Sequence, residues 1–365
     1  MLARVNHRPT QREIAAQVGV SVTTVSRILN PSELHPNRWA SEHTVAAIQA
    51  AAASMGYRHN ALAVSLRTSR TQTVGVLVPM VGDYVLASIY SGIDEVAREH
   101  GITALTASTL DEPAVRAERT FSMLDHLVDG MIFADAHLDE HFLDSIAEQG
   151  VAFTLVHRRH DRHASVSSDD LTAGRLAAQH FISLGRKRLA VITGRRFMST
   201  GSDRTQGFID AALEAGLEEP RIIEAGFDVD AGREAGLAIL TTSPLPDAIF
   251  AIHDRAALGV ISILGLHGVI IPDDVAVIGF YDTPVSLATD LTSISTPLHQ
   301  MGRRSLELLL DRLNGEPIES EVFPTTLTVR GSTDPSHSVG MNLAASSANP
   351  LSGQWARLKR SPRPA

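Results

Sequence analysis

From residue 73 onward, short apolar runs alternate with longer stretches whose apolar residues recur at helical spacing. The first series of runs reads TVGVLVP, ITALTA, GMIFA and VAFTLV, and the second reads LAVIT, RIIEA, DAIFAI and VAVIGF. Runs rich in β-branched residues that alternate with amphipathic helices indicate parallel sheets covered by helices on both faces. The two series therefore predict an α/β core of two doubly wound parallel-sheet subdomains.

Ahead of this core, TQREIAAQVGVSVTTVSRILN (Thr10–Asn30) has the pattern of two short helices joined by a turn. Thr10 and Glu13 stand at the spacing of a capping box, so the first helix is expected to begin directly after Thr10. Gly19 ends that helix, and Ser21 is a good N-cap for the second. The pattern predicts a helix-turn-helix.

The second of these helices has two unlike faces. Val25, Ile28 and Leu29 fall on one side, whereas the other side carries Val22, Thr23, Ser26 and Arg27. A face of small hydroxyl and methyl groups with one arginine can enter a major groove, where Thr reaches base edges and Arg binds guanine through two donors. Two helices around a glycine also occur in ordinary globular proteins. Spacing alone therefore does not distinguish a DNA-binding helix pair from two purely structural helices.

A third helix is predicted over residues 42–55, with Ser41 as its N-cap and Gly56 as its end. The loop before it, residues 31–40, contains helix breakers, and Trp39 is expected to pack that loop down. Three helices of this size share one small core, which predicts an all-α helix-turn-helix head over residues 1–59.

The segment NALAVSLR that follows is too short to hold a helix alone in water, because nucleation costs more than so few hydrogen bonds return. We therefore expect residues 60–72 to be a hinge that folds only against a partner. At the other end, the Ser, Pro, Asn and Ala content of residues 333–365 predicts a disordered tail.

Composition narrows the class of protein. The chain has 365 residues and no cysteine, so it has no disulfide framework and no thiolate site. The N-terminus does not have the pattern of a signal peptide, and no apolar stretch is long enough for a membrane span, so we expect a cytoplasmic protein without membrane contact. Residues 1–73 carry a net charge of +5 and the tail +3, which leaves about −17 for the middle. A basic head on an acidic body suits a protein that touches polyanions through its head.

SVTTVSRILN at residues 21–30 closely resembles the recognition helix of the lac-repressor (galactose-repressor) family of bacterial transcription regulators. The resemblance continues through MGYRHNALAVSLRTSRTQTVGVLVP at residues 55–79 and onward to about Thr333. It implies a homodimeric regulator, most simply a repressor, that binds near-palindromic double-stranded operator DNA and is controlled by a small-molecule effector. It also implies a periplasmic-binding-protein-like core over residues 73–332, divided into about 73–169 with 294–321 and 170–293 with 322–332.

In this family the hinge becomes a helix on operator DNA and inserts a leucine between central base pairs, and the matching residue here is Leu66, beside Arg67. Together with the exposed helix face, this gives the predicted DNA-binding residues: Ser21, Val22, Thr23, Thr24, Ser26, Arg27, Asn30, Asn60, Leu66 and Arg67.

Ligands of doubly wound sheets lie outside the carboxyl ends of the strands, so residues just after each strand are candidates for an effector site. The predicted effector-binding residues are Asp83, Tyr84, Asp135, His157, Arg204, His253, Asp254, Tyr281 and Asp282. The same rule points less specifically to Ser108, Arg158, residues 195–204, Phe227 and Asp228. Arg204 in SDRTQGF stands where the family commonly clamps its effector.

Two positions depart from the family pattern. His253 of AIHD and Tyr281 of GFYD stand where the family usually has Asn and Asp, whereas Asp254 and Asp282 keep the pattern. An imidazole and a phenol offer fewer acceptors than a carboxylate and add aromatic faces. With the positive charge of Arg204, this favours a phosphorylated or acidic sugar derivative, or a nucleoside or other planar metabolite, ahead of a neutral hexose.

The alternative class is an enzyme or a stand-alone small-molecule binding protein on the same core. No nucleophile elbow, phosphate-binding loop or dinucleotide motif occurs, so we expect no catalytic activity and no cofactor. His157, His160 and His163 lie close together in HRRHDRH, but arginines interleave with them, which favours an exposed basic loop over a metal site.

Overall fold

A computed structural model of the chain describes residues 9–29, 35–57, 70–138, 140–334 and 336. The chain divides into two compact units, the first ending at Thr71 and the second beginning at Gln72. None of the helices within these residues is long and apolar enough to cross a membrane.

The first unit contains the three predicted helices, α1 (Gln11–Val18), α2 (Val22–Ile28) and α3 (Glu42–Met55). The capping box is present, since the Thr10 side chain accepts from the Glu13 N–H and the Glu13 carboxylate accepts from the Thr10 N–H. Gly19 and Gly56 end α1 and α3 in the left-handed conformation that glycine adopts without strain. The small shared core contains Ile14, Val25, Ile28 and Ile48, all buried. The helix-turn-helix is confirmed.

In the second unit, a first six-stranded sheet has the order β11-β5-β4-β3-β1-β2, and every neighbouring pair is parallel. Its strands are β1 (Thr73–Val78), β2 (Thr103–Ser108), β3 (Gly130–Phe133), β4 (Phe153–His157), β5 (Ser165–Ser168) and β11 (Glu321–Phe323). Its helices are α4 (Tyr84–Glu99), α5 (Pro113–Asp125), α6 (Phe142–Glu148) and α12 (Leu298–Leu313). We call this part the first lobe.

A second six-stranded sheet has the order β12-β10-β9-β8-β6-β7 and forms the second lobe. Its strands are β6 (Leu189–Thr193), β7 (Arg221–Glu224), β8 (Ala248–Ala251), β9 (Ala276–Phe280), β10 (Thr292–Ser295) and β12 (Thr326–Thr328). Its helices are α7 (Asp170–Ser183), α8 (Ser199–Glu214), α9 (Val229–Leu240), α10 (Asp254–Leu266) and α11 (Pro284–Ala288). Two doubly wound α/β lobes are thus confirmed, although β12 pairs antiparallel with β10.

The chain crosses between the lobes three times. At two of these crossings, the boundary predicted from the sequence differs from the one in the structure. The predicted boundary at 294 falls inside β10, which pairs with β9 of the second lobe. The boundary at 322 falls inside β11, which pairs with β5 of the first lobe. Residues 322–332, which the sequence assigns to the second subdomain alone, contribute to both sheets, because β11 and β12 are separated by only Pro324 and Thr325.

Candidate functional site

The face of α2 predicted to read DNA is open to solvent. Ser21, Val22, Thr23, Ser26 and Arg27 are exposed, while Val25 and Ile28 are buried in the core of the first unit. This division follows from helical periodicity, since residues three apart share a face. The burial pattern leaves the proposed base-contacting side chains available.

Two residues of this face are already engaged within the helix. The Ser21 Oγ accepts from the Thr24 N–H at 3.0 Å and lies 2.8 Å from the Thr24 Oγ1. Thr24 is therefore part of the helix cap and is less exposed than Thr23. The remaining predicted DNA contacts, Asn30, Asn60, Leu66 and Arg67, lie outside the described residues and stay predictions.

The second candidate site is a cavity of about 410 Å³ between the lobes, within the usual range of small-molecule sites. It lies at the carboxyl ends of the strands, with β1, β2 and β4 on one side and β6 to β9 on the other. Its lining comprises Pro79, Met80, Asp83, Val85, Leu86, Leu110, Asp111, His157, Arg158, Arg195, Phe197, Met198, Thr200, Ala225, Gly226, Phe227, Asp228, His253, Arg255 and Tyr281. Ligands of doubly wound sheets bind in this position, outside the carboxyl ends of the strands.

The ionisable side chains of the lining are balanced in charge. The lining contains three carboxylates (Asp83, Asp111 and Asp228) and three guanidinium groups (Arg158, Arg195 and Arg255). Arg158 donates to both Asp111 oxygens, at 2.5 and 2.8 Å. Burial raises the pKa of Asp111, but hydrogen bonds from His137 and Arg158 outweigh it and hold that pKa well below its usual range. The Asp111 carboxylate is therefore ionised at neutral pH.

The two histidines of the lining carry no charge at neutral pH. Burial, with Arg158 and Arg204 nearby, lowers the pKa of His157 well below its usual value. Burial lowers the pKa of His253 to about 4, and burial raises the pKa of Tyr281 to about 12. All three side chains are thus neutral hydrogen-bonding groups with aromatic faces.

A buried hydrogen-bond chain fixes the back of the cavity. Arg204 donates from Nε to Asp170 at 2.7 Å and from Nη2 to the Tyr281 hydroxyl at 2.9 Å. That hydroxyl lies 2.7 Å from His157 Nε2. If the hydroxyl accepts from Arg204 and donates to Nε2, His157 carries its own proton on Nδ1. Among the described residues His157 Nδ1 has no hydrogen-bond partner, so a buried donor remains for a ligand or water.

His253 has the other tautomer. Its Nδ1 accepts from the Arg255 N–H at 3.2 Å and caps α10, so its proton lies on Nε2. That atom is 3.7 Å from the Asp83 carboxylate, which in turn caps α4. Asp83 also lies 3.5 Å from Arg255. These contacts join the two lobes at the mouth of the cavity.

Backbone conformation also marks this region. Non-glycine residues with positive φ cluster here: Leu110 (58°), Asp111 (57°), His157 (72°), Tyr281 (96°) and Asp282 (46°). Such conformations cost energy and are found at ligand-binding sites more than elsewhere. Gly194 also shapes the cavity, because a Cβ added there would come within 2.5 Å of the Phe227 ring. The glycine leaves room for that aromatic face to line the cavity.

Of the nine predicted effector-binding residues, four line the cavity: Asp83, His157, His253 and Tyr281. Tyr84 does not, because it points outward with 51% of its surface exposed. The other four lie outside the lining and are bound to protein groups, as described next; three are buried and Asp282 is partly exposed. Asp111 and Arg255 line the cavity but were missed, although each lies within a few residues of a strand end.

Arg204 is the main departure from expectation. It is 1% exposed, stacks 3.5 Å from the Phe280 ring centroid, and donates to Asp170, the Ile252 carbonyl and Tyr281. It does not line the cavity. Its charge is matched by Asp170, so it adds no net positive charge for an anionic ligand. Arg204 supports the floor of the site through Tyr281.

The three remaining aspartates have structural partners. Asp254 accepts from the Thr283 N–H, the Thr283 hydroxyl and the Ser293 hydroxyl. Asp282 pairs with Arg330 at 2.6 Å, and Asp135 accepts from Thr109 and pairs with Arg116. These residues hold strands and turns in place.

The HRRHDRH segment is not an exposed loop. His160 is buried and stacks on His163, with ring centroids 5.1 Å apart, and His163 lies 2.9 Å from an Asp144 oxygen. No group of three or more possible metal ligands occurs among the described residues. The segment instead joins the lobes, because Arg159 binds Asp203 of α8.

Comparison with known proteins finds matches for both parts of the chain. Residues 10–60 match the bacterial regulatory proteins of the lacI family, and residues 178–333 match the periplasmic binding protein-like domain. The transcriptional regulator CelR of Thermobifida fusca is 32% identical over 341 residues, which cover 89% of this chain and 98% of that protein. The transcriptional regulator DegA of Bacillus subtilis is 30% identical, with 90% and 99% covered.

Solved structures give the same result. A complex of the transcriptional regulator CelR with cellobiose has a TM-score of 0.68 and 30% identity, with 89% of this chain and 100% of that chain covered. A lac repressor dimer bound to operator and the anti-inducer ONPF has a TM-score of 0.81, with 89% and 99% covered; at 21% identity it supports the fold alone. The chain therefore belongs to the lacI family of bacterial regulatory proteins and is a DNA-binding transcription regulator.

Proposed function

We propose that this regulator acts as a repressor whose inter-lobe cavity binds a neutral saccharide. The observation that carries the proposal is the lining: three carboxylates, three guanidinium groups and uncharged His157, His253 and Tyr281. Sugar hydroxyls both donate and accept hydrogen bonds, so they are satisfied by carboxylate acceptors and guanidinium donors together. A charge-balanced lining has no excess cation to reward a phosphate or an acid.

Aromatic faces support the same ligand class. Phe197 and Phe227 line the cavity from the second lobe, and Phe227 and His253 have ring centroids 6.1 Å apart. Flat apolar rings pack against the C–H faces of a pyranose as well as against a planar ligand. The cellobiose complex of CelR makes cellobiose the first neutral disaccharide to test. Nucleosides are the second class, since the same faces can stack on a base.

The structure changes the preference for an anionic effector that the sequence suggests. That preference depends on Arg204, which is paired with Asp170 behind the lining. Arg158 is likewise paired with Asp111. Neither cation is left to attract a ligand anion without displacing a protein carboxylate, which costs desolvation and a broken ion pair.

A thermal-shift screen tests the ligand class. Neutral disaccharides, led by cellobiose, are expected to raise the melting temperature of the full chain with increasing concentration, because a ligand that binds only the folded state stabilises it by mass action. Sugar phosphates, sugar acids and nucleosides are expected to raise it less. Phe227→Ala should reduce the ligand-induced shift, while Tyr84→Ala, outside the cavity, should leave it unchanged. Stabilisation by anionic sugars alone would contradict the proposal.

We further propose that two copies of the chain bind a near-palindromic operator through α2, with no catalytic step and no cofactor. Symmetric dimers place two recognition helices on related half-sites. Support comes from the lac repressor dimer on its operator, whose fold this chain shares, and from relatives that are described as regulators. The exposed Thr23, Ser26 and Arg27 supply the base-contacting groups.

Base reading by α2 is tested with single substitutions. Arg27→Ala and Thr23→Ala are each expected to weaken binding to a sequence selected from a random DNA pool by about 1–3 kcal/mol, because base contacts specify the sequence. Binding to a scrambled duplex should change little. Arg38→Ala removes a charge of the same kind from outside α2 and is the matched control. Equal losses on both duplexes would show that this face contacts phosphates only.

A further inference from the structure

Trp39 lies beside the arginine expected to read bases, although it is distant from it in sequence. The Arg27 guanidinium carbon is 4.0 Å above the centroid of the Trp39 ring, within the range of a cation–π contact. Arg38, the residue next to Trp39, is 6.0 Å from the same centroid. Trp39 therefore makes its closer contact with the recognition helix.

The backbone of Trp39 is held by local structure. Trp39 follows a 3₁₀ turn at Pro36–Arg38, and its backbone N–H donates to the Pro36 carbonyl at 3.0 Å. Trp39 is 37% exposed and is not part of the hydrophobic core of the first unit, which contains Ile14, Val25 and Ile48. Packing of the core does not explain a large aromatic residue at this place. The contact with Arg27 connects this residue to the recognition helix.

A stacked guanidinium keeps its hydrogen-bonding edge free. The five N–H donors of arginine lie in the plane of the group, so an aromatic ring against one face of that plane leaves them free. An arginine stacked in this way can still bind the two acceptors of a guanine edge. Stacking also restricts a side chain that otherwise loses considerable rotamer freedom when it binds.

We infer that Trp39 is a positioning residue that holds Arg27 in the orientation needed to read a base. The inference rests on the proposed base-reading role of Arg27. Trp39 acts through Arg27 and gives the recognition helix a sequence selectivity that its own residues would not reach with a freely rotating arginine.

The test measures selectivity in the full chain. A duplex selected from a random DNA pool by the wild-type protein and a scrambled duplex of equal length are titrated, and the ratio of their dissociation constants is compared. Trp39→Leu is expected to lower this ratio by about 2- to 5-fold, the size of an exposed cation–π contact. Trp39→Tyr and Trp39→Phe, which keep an aromatic face, should lose progressively more in that order and less than Trp39→Leu. Arg38→Ala is the control and should keep the ratio.

A double substitution separates positioning from a general structural role. In an Arg27→Ala background, Trp39→Leu should change the ratio no further, because its effect passes through Arg27. An equal loss in both backgrounds, or an equal loss on both duplexes, would overturn the inference. The Tyr and Phe variants keep it testable if the Leu variant fails to fold, and no difference between them and the wild type would also overturn it.

The same measurements distinguish the inference from the proposal beneath it. If Arg27→Ala lowers selectivity while Trp39→Leu does not, base reading by Arg27 stands and the role of Trp39 is wrong. If Arg27→Ala itself leaves selectivity unchanged, the base-reading assignment is wrong and the role of Trp39 is overturned with it.

Discussion

Replacement of Arg204 by alanine is expected to lower the free energy of unfolding of the core by about 3–5 kcal/mol, the cost of removing one partner from a buried ion pair. Asp170 is buried beside it and would keep only the Ser168 hydroxyl as a side-chain donor. The Ile252 carbonyl and the Tyr281 hydroxyl would each lose a donor as well. Urea denaturation of the full chain, followed by circular dichroism, measures the loss.

The same helix pair offers a matched control. Arg175 of α7 binds Glu214 of α8 through two hydrogen bonds of 2.7 Å, but this pair is exposed to solvent. Exposed pairs contribute little because water screens them, so Arg175→Ala should leave the denaturation midpoint almost unchanged. Asp170→Asn in the Arg204→Ala background should recover part of the loss, because the amide carries no charge. Equal effects of Arg175→Ala and Arg204→Ala would contradict the structural role of Arg204.

The sequence predicts the helices and strands well where local chemistry determines them. The Thr10 and Glu13 side chains satisfy the first amides of α1, and Gly56 ends α3, so both ends follow from a few neighbouring residues. The sequence does not predict strand β5, whose residues are SVSS, or strand β10, whose residues are TSIS. Their hydroxyls are bound by distant parts of the chain, as when the Thr292 hydroxyl of β10 donates to the Arg330 carbonyl at 2.9 Å. Polar residues in a buried strand give no hydrophobic signal.

The candidate site shows a similar limit. A position just after a strand indicates where in the chain a ligand-facing residue is found, but it does not give the direction of the side chain. Neighbouring residues at one strand end therefore differ in what they contact: Tyr281 lines the cavity, whereas Asp282 pairs with Arg330. The partners that withdraw Arg204 and Asp254 from the cavity, Asp170 and Ser293, lie 34 and 39 residues away. Such pairings depend on the tertiary fold.

The family resemblance indicates where Arg204 lies relative to the cavity, but it does not indicate which groups Arg204 binds in this chain. Arg204 stands where the family commonly clamps its effector, yet here the phenol of Tyr281 takes up one of its donors and separates it from the cavity. Tyr281 in turn reaches His157 of the other lobe. With Tyr281 at this position, Arg204 supports the cavity floor, and Tyr281 rather than Arg204 is available to an effector.

Effector and operator are expected to change each other's affinity by one common factor of about 5- to 150-fold, because binding free energies coupled through one protein are reciprocal. The lobes meet around the cavity through His157 and Tyr281 and through Asp83 and His253. A saccharide between them therefore favours the closed arrangement of the lobes. Titration of cellobiose, or of the best ligand from the thermal-shift screen, with and without operator DNA measures one factor. Titration of the operator with and without the ligand measures the other.

A variant outside the cavity tests whether lobe closure carries this coupling. Arg159 of the first lobe binds Asp203 of the second at 2.8 and 3.0 Å, and it is not part of the cavity lining. Arg159→Ala removes a contact between the lobes and should weaken effector binding several-fold, because the closed arrangement becomes less populated. It should shift operator affinity in the direction opposite to the effector, whichever direction that is. Arg175→Ala, which removes a comparable pair within the second lobe alone, should change neither affinity. If Arg159→Ala also changes neither, closure of the lobes is not the coupled step.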